Sequence, residues 1–390
     1  MERKVSIIGI GAIKVGAYPE TLEHELLIPA LKMAVEDAGI SKDDIGGMIF
    51  SHPRPYCKQR YFSTYIAGYL RHPLSALMEV TGNGMTGGLA FRCAVQEVSS
   101  GRVDICVALG VSRESLVSTS QHMHEVSSKA VGDVDFHTPF GINPITWMAM
   151  TAQRYMYEYK ATSEQFAAVA VKNRRNAAKN PIAHFTEPIT IQDVLNSRII
   201  ADPLHILDCP PRDDGAVAII LAPSDLAKRM KKVPVHARGF GFYHEGIHMI
   251  DESPGNLLEF PALKRAAAEA YRSADVSSGD IDVAEIYAPT TVMEIIISEG
   301  LGFFKAGEGA RAVVEGQTEI EGKIPICTAG GCQSRGHPPM VTPLLGIFEV
   351  CQQLRGEGGA RQVKNAKLGL TTCELGHLNG MLIEILERGE

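Results

Sequence analysis

The chain has 390 residues, 45% of them apolar, with 38 glycines and only 6% aromatics. That is enough apolar material for a large core or two fused ones, and the many small residues suit packed α/β layers better than a β-sandwich. A net charge of −7 argues against nucleic acid or a membrane surface as partner, while a local basic stretch can still hold a small anion.

In chain order, "MERKVSIIGIGAI" runs straight into a strand without the pattern of a signal peptide. No apolar run reaches the ~18 residues of a membrane span, so the expected location is cytoplasmic. "EHELLIPALKMAVEDAG" reads as a helix and "IGGMIFS" as a strand; a helix follows Gly84, then the strand "VDICVALGVS". From Arg113 to Asp213 a mainly helical insertion interrupts the rhythm, of a size that forms a cap over a site. The strand "DDGAVAIILAP" follows.

The rhythm then restarts. "VPVHARGFGFYH" is strand-like, "FPALKRAAAEAYRSAD" helical, "IDVAEIYAP" a strand and "TPLLGIFEVCQQLRG" a helix. "AKLGLTTCELG" and "NGMLIEILE" read as two closing strands. The expected organisation is an internal duplication, with halves at 1–235 and 236–390.

Several stretches invite chemistry. "GIGAIKVG" imitates a dinucleotide fingerprint with the wrong spacing and reads as a strand-end turn. "HMHEVSSKAVGDVDFH" has three histidines but no ligand-like repetition; it reads as a polar loop, and no metal site is expected. "VKNRRNAAK" gathers Lys172, Arg174, Arg175 and Lys179, either as a solvated helix face or as a basic lip for phosphates. The eight cysteines (Cys57, Cys93, Cys106, Cys209, Cys327, Cys332, Cys351 and Cys373) form no CxxC pair and read as reduced, mostly buried thiols. "GGCQSRGHPPMVTP" puts His337 in a glycine- and proline-rich loop ahead of a helix. "TTCELGH" puts Cys373 after a buried strand, at the mouth of a glycine turn. Together they suggest a thiol and an imidazole brought to one place.

The loops around Gly84, His337 and Cys373, with "LNSRIIADPLHILDCPPRDDGAVAIIL", "EGLGFFKAGEGARAVVEGQTEIEGKIPI" and "YKATSEQFAAVAVKNRRNAAKNP", make the chain resemble the thiolase superfamily, in its sterol-carrier-protein branch. The resemblance runs essentially from end to end. It implies an α/β thiolase fold: two duplicated halves, each a five-stranded mixed sheet between helices, plus a helical loop domain. It also implies at least a homodimer, an acyl-CoA substrate, coenzyme A as co-substrate with no tightly bound cofactor, and a small zinc-ribbon and OB-fold partner subunit. The basic residues Lys172, Arg174 and Arg175 would contact the CoA nucleotide.

In that family a cysteine at a helix N-terminus attacks the thioester carbonyl, because the helix end lowers a thiol pKa. The resemblance puts Gly84 at this position. His337 matches the histidine that helps activate the thiol and lines an oxyanion hole, and Cys373 matches the cysteine that shuttles the α-carbon proton. Backbone N–H groups at Gly376 and Gly84 would form a second oxyanion hole. Tyr287, in "EIYAPTT", stands where the family carries asparagine or histidine.

Three readings follow. The first is an acyltransferase that cleaves a 3-oxoacyl-CoA with CoA, in its narrowest form benzoylsuccinyl-CoA, with Gly84 replacing the nucleophilic cysteine; His337 and Cys373 favour it. The second is a cysteine-independent retro-aldolase acting on a β-hydroxyacyl-CoA. It resembles steroid side-chain aldolases, which lack the cysteine and carry tyrosine near position 287, but which do not keep the histidine. The third is a non-catalytic subunit of a thiolase complex.

Overall fold

The computed structural model describes residues 3–53, 56–130, 133–230, 233–246, 257–375 and 378–389. The N-terminal part runs β1 (Val5–Ala12), α1 (Glu23–Ala38), β2 (Gly47–Ser51), α2 (Phe62–Leu70), β3 (Ala76–Val80), α3 (Thr86–Ser99) and β4 (Cys106–Arg113). The insertion holds α4 (Thr119–Glu125), α5 (Pro144–Tyr159), α6 (Ser163–Ala177), α7 (Ile191–Asn196) and the small pair β5 (Ile199–Ala201) and β6 (Leu204–His205). Then come β7 (Asp214–Pro223), α8 (Ser224–Ala227), β8 (Val235–His244), α9 (Pro261–Ala274) and β9 (Val283–Glu285). α10 (Thr291–Gly300), α11 (Gly309–Val314), α12 (Thr342–Arg355), β10 (Leu368–Leu375) and β11 (Gly380–Arg388) complete it.

The duplication is visible in the strand order β3-β2-β4-β7-β1-β8-β11-β10-β9. Outward from the centre, β1, β7, β4 and β2 correspond to β8, β11, β10 and β9. Each series has two antiparallel pairings followed by a parallel one. The expectation of two five-stranded sheets changes in two respects. β1 and β8 hydrogen-bond at Ser6↔His236 and Ile7↔Val235, so the halves share one sheet. Opposite β3, the described residues of the C-terminal half have only the isolated bridge Ala284↔Ile326, where the neighbouring Pro325 has no N–H to extend a ladder.

A glycine pair marks the same place in both halves. A Cβ on Gly9 or Gly11 would strike the backbone of Ala34 or Ala30 in α1; on Gly239 or Gly241 it would strike Ala274 or Ala266 in α9. The first helix of each half therefore lies directly on its first strand. This corrects the reading of "GIGAIKVG" as a strand-end turn: Gly9 and Gly11 are inside β1.

The core is layered. Leu27 of α1 and Phe62 of α2 pack with Phe50 and Ile220 on one outer face. Phe91 of α3 and Leu344 and Ile347 of α12 fill the centre against Ile219 and Val283. On the other outer face, Leu263 and Ala266 of α9 pack with Ile383 of β11, and Trp147 and Tyr155 of α5 and Phe166 of α6 join them. The insertion from the first half thus packs across the second. α5 starts cleanly because Asn143 Oδ1 accepts the N–H groups of Ile145 and Thr146 and Pro144 opens the first turn. All eight cysteines are free, five of them buried. Among the described residues no helix is long and apolar enough to cross a membrane.

Candidate functional site

Gly84 lies where the chain enters α3. Asn83–Met85 form a short 3-10 turn with Asn83 in left-handed backbone (φ 47°), and α3 begins at Thr86. Thr86 Oγ1 secures the turn by accepting from Gly82 N at 2.9 Å and donating to Asn83 O at 2.6 Å. A Cβ added at Gly84 would lie 2.8 Å from Glu374 O, 2.8 Å from Tyr287 Cε1 and 3.1 Å from the Tyr287 hydroxyl. The tyrosine ring and a strand carbonyl fill the space a side chain at position 84 needs.

Tyr287 follows β9, with its N–H held by Thr372 Oγ1 at 3.0 Å. Its hydroxyl meets His337 Nε2 at 2.9 Å. Burial and then the nearby Glu374 raise the phenol well above its ordinary pKa, so it keeps its proton. Burial lowers His337 to about 3, and the charge of Arg335 adds to this, so the imidazole is neutral. One proton joins the pair, from the phenol or from Nε2 according to the imidazole tautomer.

Cys373 packs with Tyr287, Met85 and Leu382 in one small cluster. It sits within β10, two residues before its end, rather than beyond the strand. Burial and the Glu384 carboxyl raise the thiol well above its ordinary pKa, so it is a proton holder and not a thiolate. Its Sγ is 3.8 Å from Glu384 Oε1, and Glu384 Oε2 accepts from Thr371 Oγ1 at 2.7 Å. A side chain at Gly88, in the first turn of α3, would run into Cys373 Sγ and approach Glu384 Oε1 to 2.8 Å. Gly84, Tyr287, His337 and Cys373 are thus brought together. Gly376, expected to offer an oxyanion N–H, lies outside the described residues.

The basic lip expected in α6 is different in kind. Lys172 is buried, with its ammonium 2.9 Å from Glu294 Oε1 and 2.7 Å from Ile326 O. Arg174 is buried over the Phe185 ring and donates to Ser334 Oγ at 3.0 Å. Arg175 alone of the three is solvent-facing, paired with Glu319. Burial by the loop beyond β9 removes Lys172 and Arg174 from any solvated face.

α6 instead grips the loop that carries His337. Asn173 Nδ2 donates to Glu294 and Gln333, Asn176 Nδ2 to Cys327 O, and Asn180 Nδ2 to Ala329 O. Gln333 in turn donates to the carbonyls of Ala288 and Pro289, just after Tyr287. Asp213 Oδ2 accepts the His337 N–H at 2.9 Å, and its other oxygen meets His184 Nδ1 at 2.7 Å. These positioning groups escaped the sequence reading, although the adjacent acids of "RDDG" before a buried strand were a usable signal. "HMHEVSSK" is a short helix rather than a loop, and His122 contacts Tyr56 and Glu114.

Comparison with known proteins adds the lineage. Residues 5–224 match the thiolase N-terminal domain and 246–388 the thiolase C-terminal-like domain. An acetyl-CoA acetyltransferase of Methanothermobacter thermautotrophicus is 35% identical, over 95% of each chain. A 17-hydroxy-3-oxo-4-pregnene-20-carboxyl-CoA lyase of Mycobacterium tuberculosis is 31% identical over 90% of this chain and 92% of its own. The benzoylsuccinyl-CoA thiolase subunit of Thauera aromatica is 28% identical over 93% and 92%. The solved "Ltp2-ChsH2(DUF35) aldolase" superposes with a TM-score of 0.85 at 28% identity, covering 99% of this chain and 98% of that one. Acyltransferases and carbon–carbon lyases therefore both stand among the relatives, and the chain itself belongs to the thiolase family.

Proposed function

We propose that this protein breaks a carbon–carbon bond of an acyl-CoA in the retro-aldol sense, without a covalent intermediate. The observation that carries this reading is the Tyr287 ring and Glu374 carbonyl standing 2.8 Å from a Cβ at Gly84. A cysteine simply exchanged for glycine would leave an empty notch there. A tyrosine occupying the notch is what a site adapted to glycine requires.

The substrate class is a 3-hydroxyacyl-CoA. Loss of the hydroxyl proton turns the C–O bond into a carbonyl, the Cα–Cβ pair passes into the thioester enolate, and Cα takes up a proton. The neutral Tyr287–His337 pair and the N–H groups entering α3 suit the enolate oxygen, because they stabilise charge without exchanging it. Cys373, holding its proton beside the site, suits delivery to Cα. Intact mass and product analysis test the reading. Cleavage of a 3-hydroxyacyl-CoA with no acylated protein is expected; an acyl-enzyme formed from a 3-oxoacyl-CoA would overturn it.

The second reading, acyl transfer from a 3-oxoacyl-CoA to CoA, is supported by the 35% identity to an acetyl-CoA acetyltransferase together with the presence of His337 and Cys373. Benzoylsuccinyl-CoA as its substrate rests on 28% identity. For either reading we propose halves meeting near residue 235, Arg175 at the CoA nucleotide, and no tightly bound cofactor. A homodimer through the edge strand β3 and a small second subunit, as the two names joined in the solved aldolase suggest, complete the proposal. A cytoplasmic location remains our expectation.

A further inference from the structure

Among the described residues assembled around Gly84, none is suited to taking a hydroxyl proton. Tyr287 and Cys373 keep their own protons, burial pushes Glu374 up to about 8, and His337 at about 3 resists gaining one. A retro-aldol cleavage still needs a base.

One lies at the start of the insertion. Glu114 continues β4 one step past the register pair Arg113↔Asp214, which sets it opposite Asp213, the residue that holds His337. Alternation along the strand puts Ser112 and Glu114 on one face, and Ser112 Oγ reaches Glu114 Oε1 at 3.4 Å. On that same face a Cβ at Gly215, the partner of Ser112, would meet Pro338 Cγ at 2.9 Å. Glu114 therefore shares its face with the loop bearing His337. It is 1% exposed, and its Oε2 has no hydrogen-bond partner but lies 3.3 Å from His122 Nδ1. The Tyr56 hydroxyl is 2.8 Å from the same nitrogen. With its proton on Nδ1, toward Glu114 and the Tyr56 oxygen, His122 leaves Nε2 as the acceptor.

Resting on the retro-aldol reading above, we propose that His122 is the general base that takes the 3-hydroxyl proton, and that Glu114 is the positioning residue that fixes its tautomer and balances the imidazolium. The O–H proton passes to His122 Nε2 as the O–H electron pair becomes the carbonyl π bond. The Cα–Cβ pair becomes the enolate, Cys373 gives its thiol proton to Cα, and the proton on His122 returns to the Cys373 sulfur. No other reactant is consumed.

The probes are 3-hydroxy-3-phenylpropionyl-CoA, which would release benzaldehyde and acetyl-CoA, and acetyl-CoA alone, its binding read by calorimetry. His122→Asn, on a short helix at the surface, should lower kcat for cleavage by roughly 10²–10⁴-fold with little change in KM. It should retain acetyl-CoA binding, which requires no proton transfer. Glu114→Gln should lose cleavage in the same selective way, and Glu114→Asp should recover part of it. Cleavage unchanged in His122→Asn, or cleavage and acetyl-CoA binding lost together in both His122→Asn and Glu114→Gln, would overturn the assignment. Failure of the unaltered protein to cleave the probe, with its acetyl-CoA binding intact, would instead overturn the retro-aldol reading.

Discussion

Tyr287 and Gly84 are complementary: the tyrosine ring stands where a side chain on the glycine would have to go, with Cε1 2.8 Å from the position of its Cβ. Each residue explains the other. The pair also changes what is expected of a cysteine restored at position 84.

Gly84→Cys should be destabilising by about 1–3 kcal/mol, because the Cβ meets a backbone carbonyl as well as the ring. Its thiol should resist alkylation and take no acyl group. Adding Tyr287→Ala should restore part of the stability and open the thiol to iodoacetamide near neutral pH, at the N-terminal end of α3. Thermal melts and intact mass decide it. A single variant as stable as the parent and readily acylated would sink the idea.

Tyr287→Phe keeps the ring in the notch and removes only the hydroxyl bonded to His337 at 2.9 Å. The fold should lose about 1 kcal/mol. Turnover should fall by roughly 10²-fold, the usual result of removing one oxyanion donor. Steady-state kinetics on the 3-hydroxyacyl-CoA probe checks this, and unchanged kcat would remove Tyr287 from the chemistry.

Burial pushes Glu384 from the ordinary carboxyl range up to about 8. Between roughly pH 4.5 and 8 the folded chain therefore holds a proton that the unfolded chain has released. Stability from this group declines as pH rises through that window, by on the order of 1 kcal/mol per unit. Glu384→Gln removes the titration, so its melting temperature relative to the parent should rise between pH 5 and pH 8.5. A difference that stays flat with pH would contradict the burial argument.

The two ends of the α6 cation run should separate cleanly. Lys172→Met leaves Glu294 buried without its partner and should cost about 3–5 kcal/mol. Arg175→Ala loses only an exposed pair and should cost under about 1 kcal/mol. If Arg175 meets the CoA nucleotide, its loss raises KM for acyl-CoA while leaving the melting temperature in place. Equal effects of the two substitutions on KM and on melting would contradict both assignments.

The strand and helix order was legible in the sequence because buried strands such as "VDICVALGVS" and amphipathic helices such as "FPALKRAAAEAYRSAD" carry their burial in local periodicity. The duplication and the set Gly84, Tyr287, His337 and Cys373 were legible too, through resemblance of whole segments. Periodicity cannot say what covers a helix face. Lys172 and Asn173 look like solvated polar residues until the loop through Ile326 and Gln333 closes over them and takes up their hydrogen bonds. Nor can it measure free volume between distant segments. Whether Gly84 is a missing sulfur or a place with no room for one depends on where β9 delivers Tyr287, and where β10 delivers the Glu374 carbonyl, against the start of α3. Hydrophobic pattern is a property of neighbours in the chain, whereas steric exclusion is a property of neighbours in space, and only the folded layers bring those together.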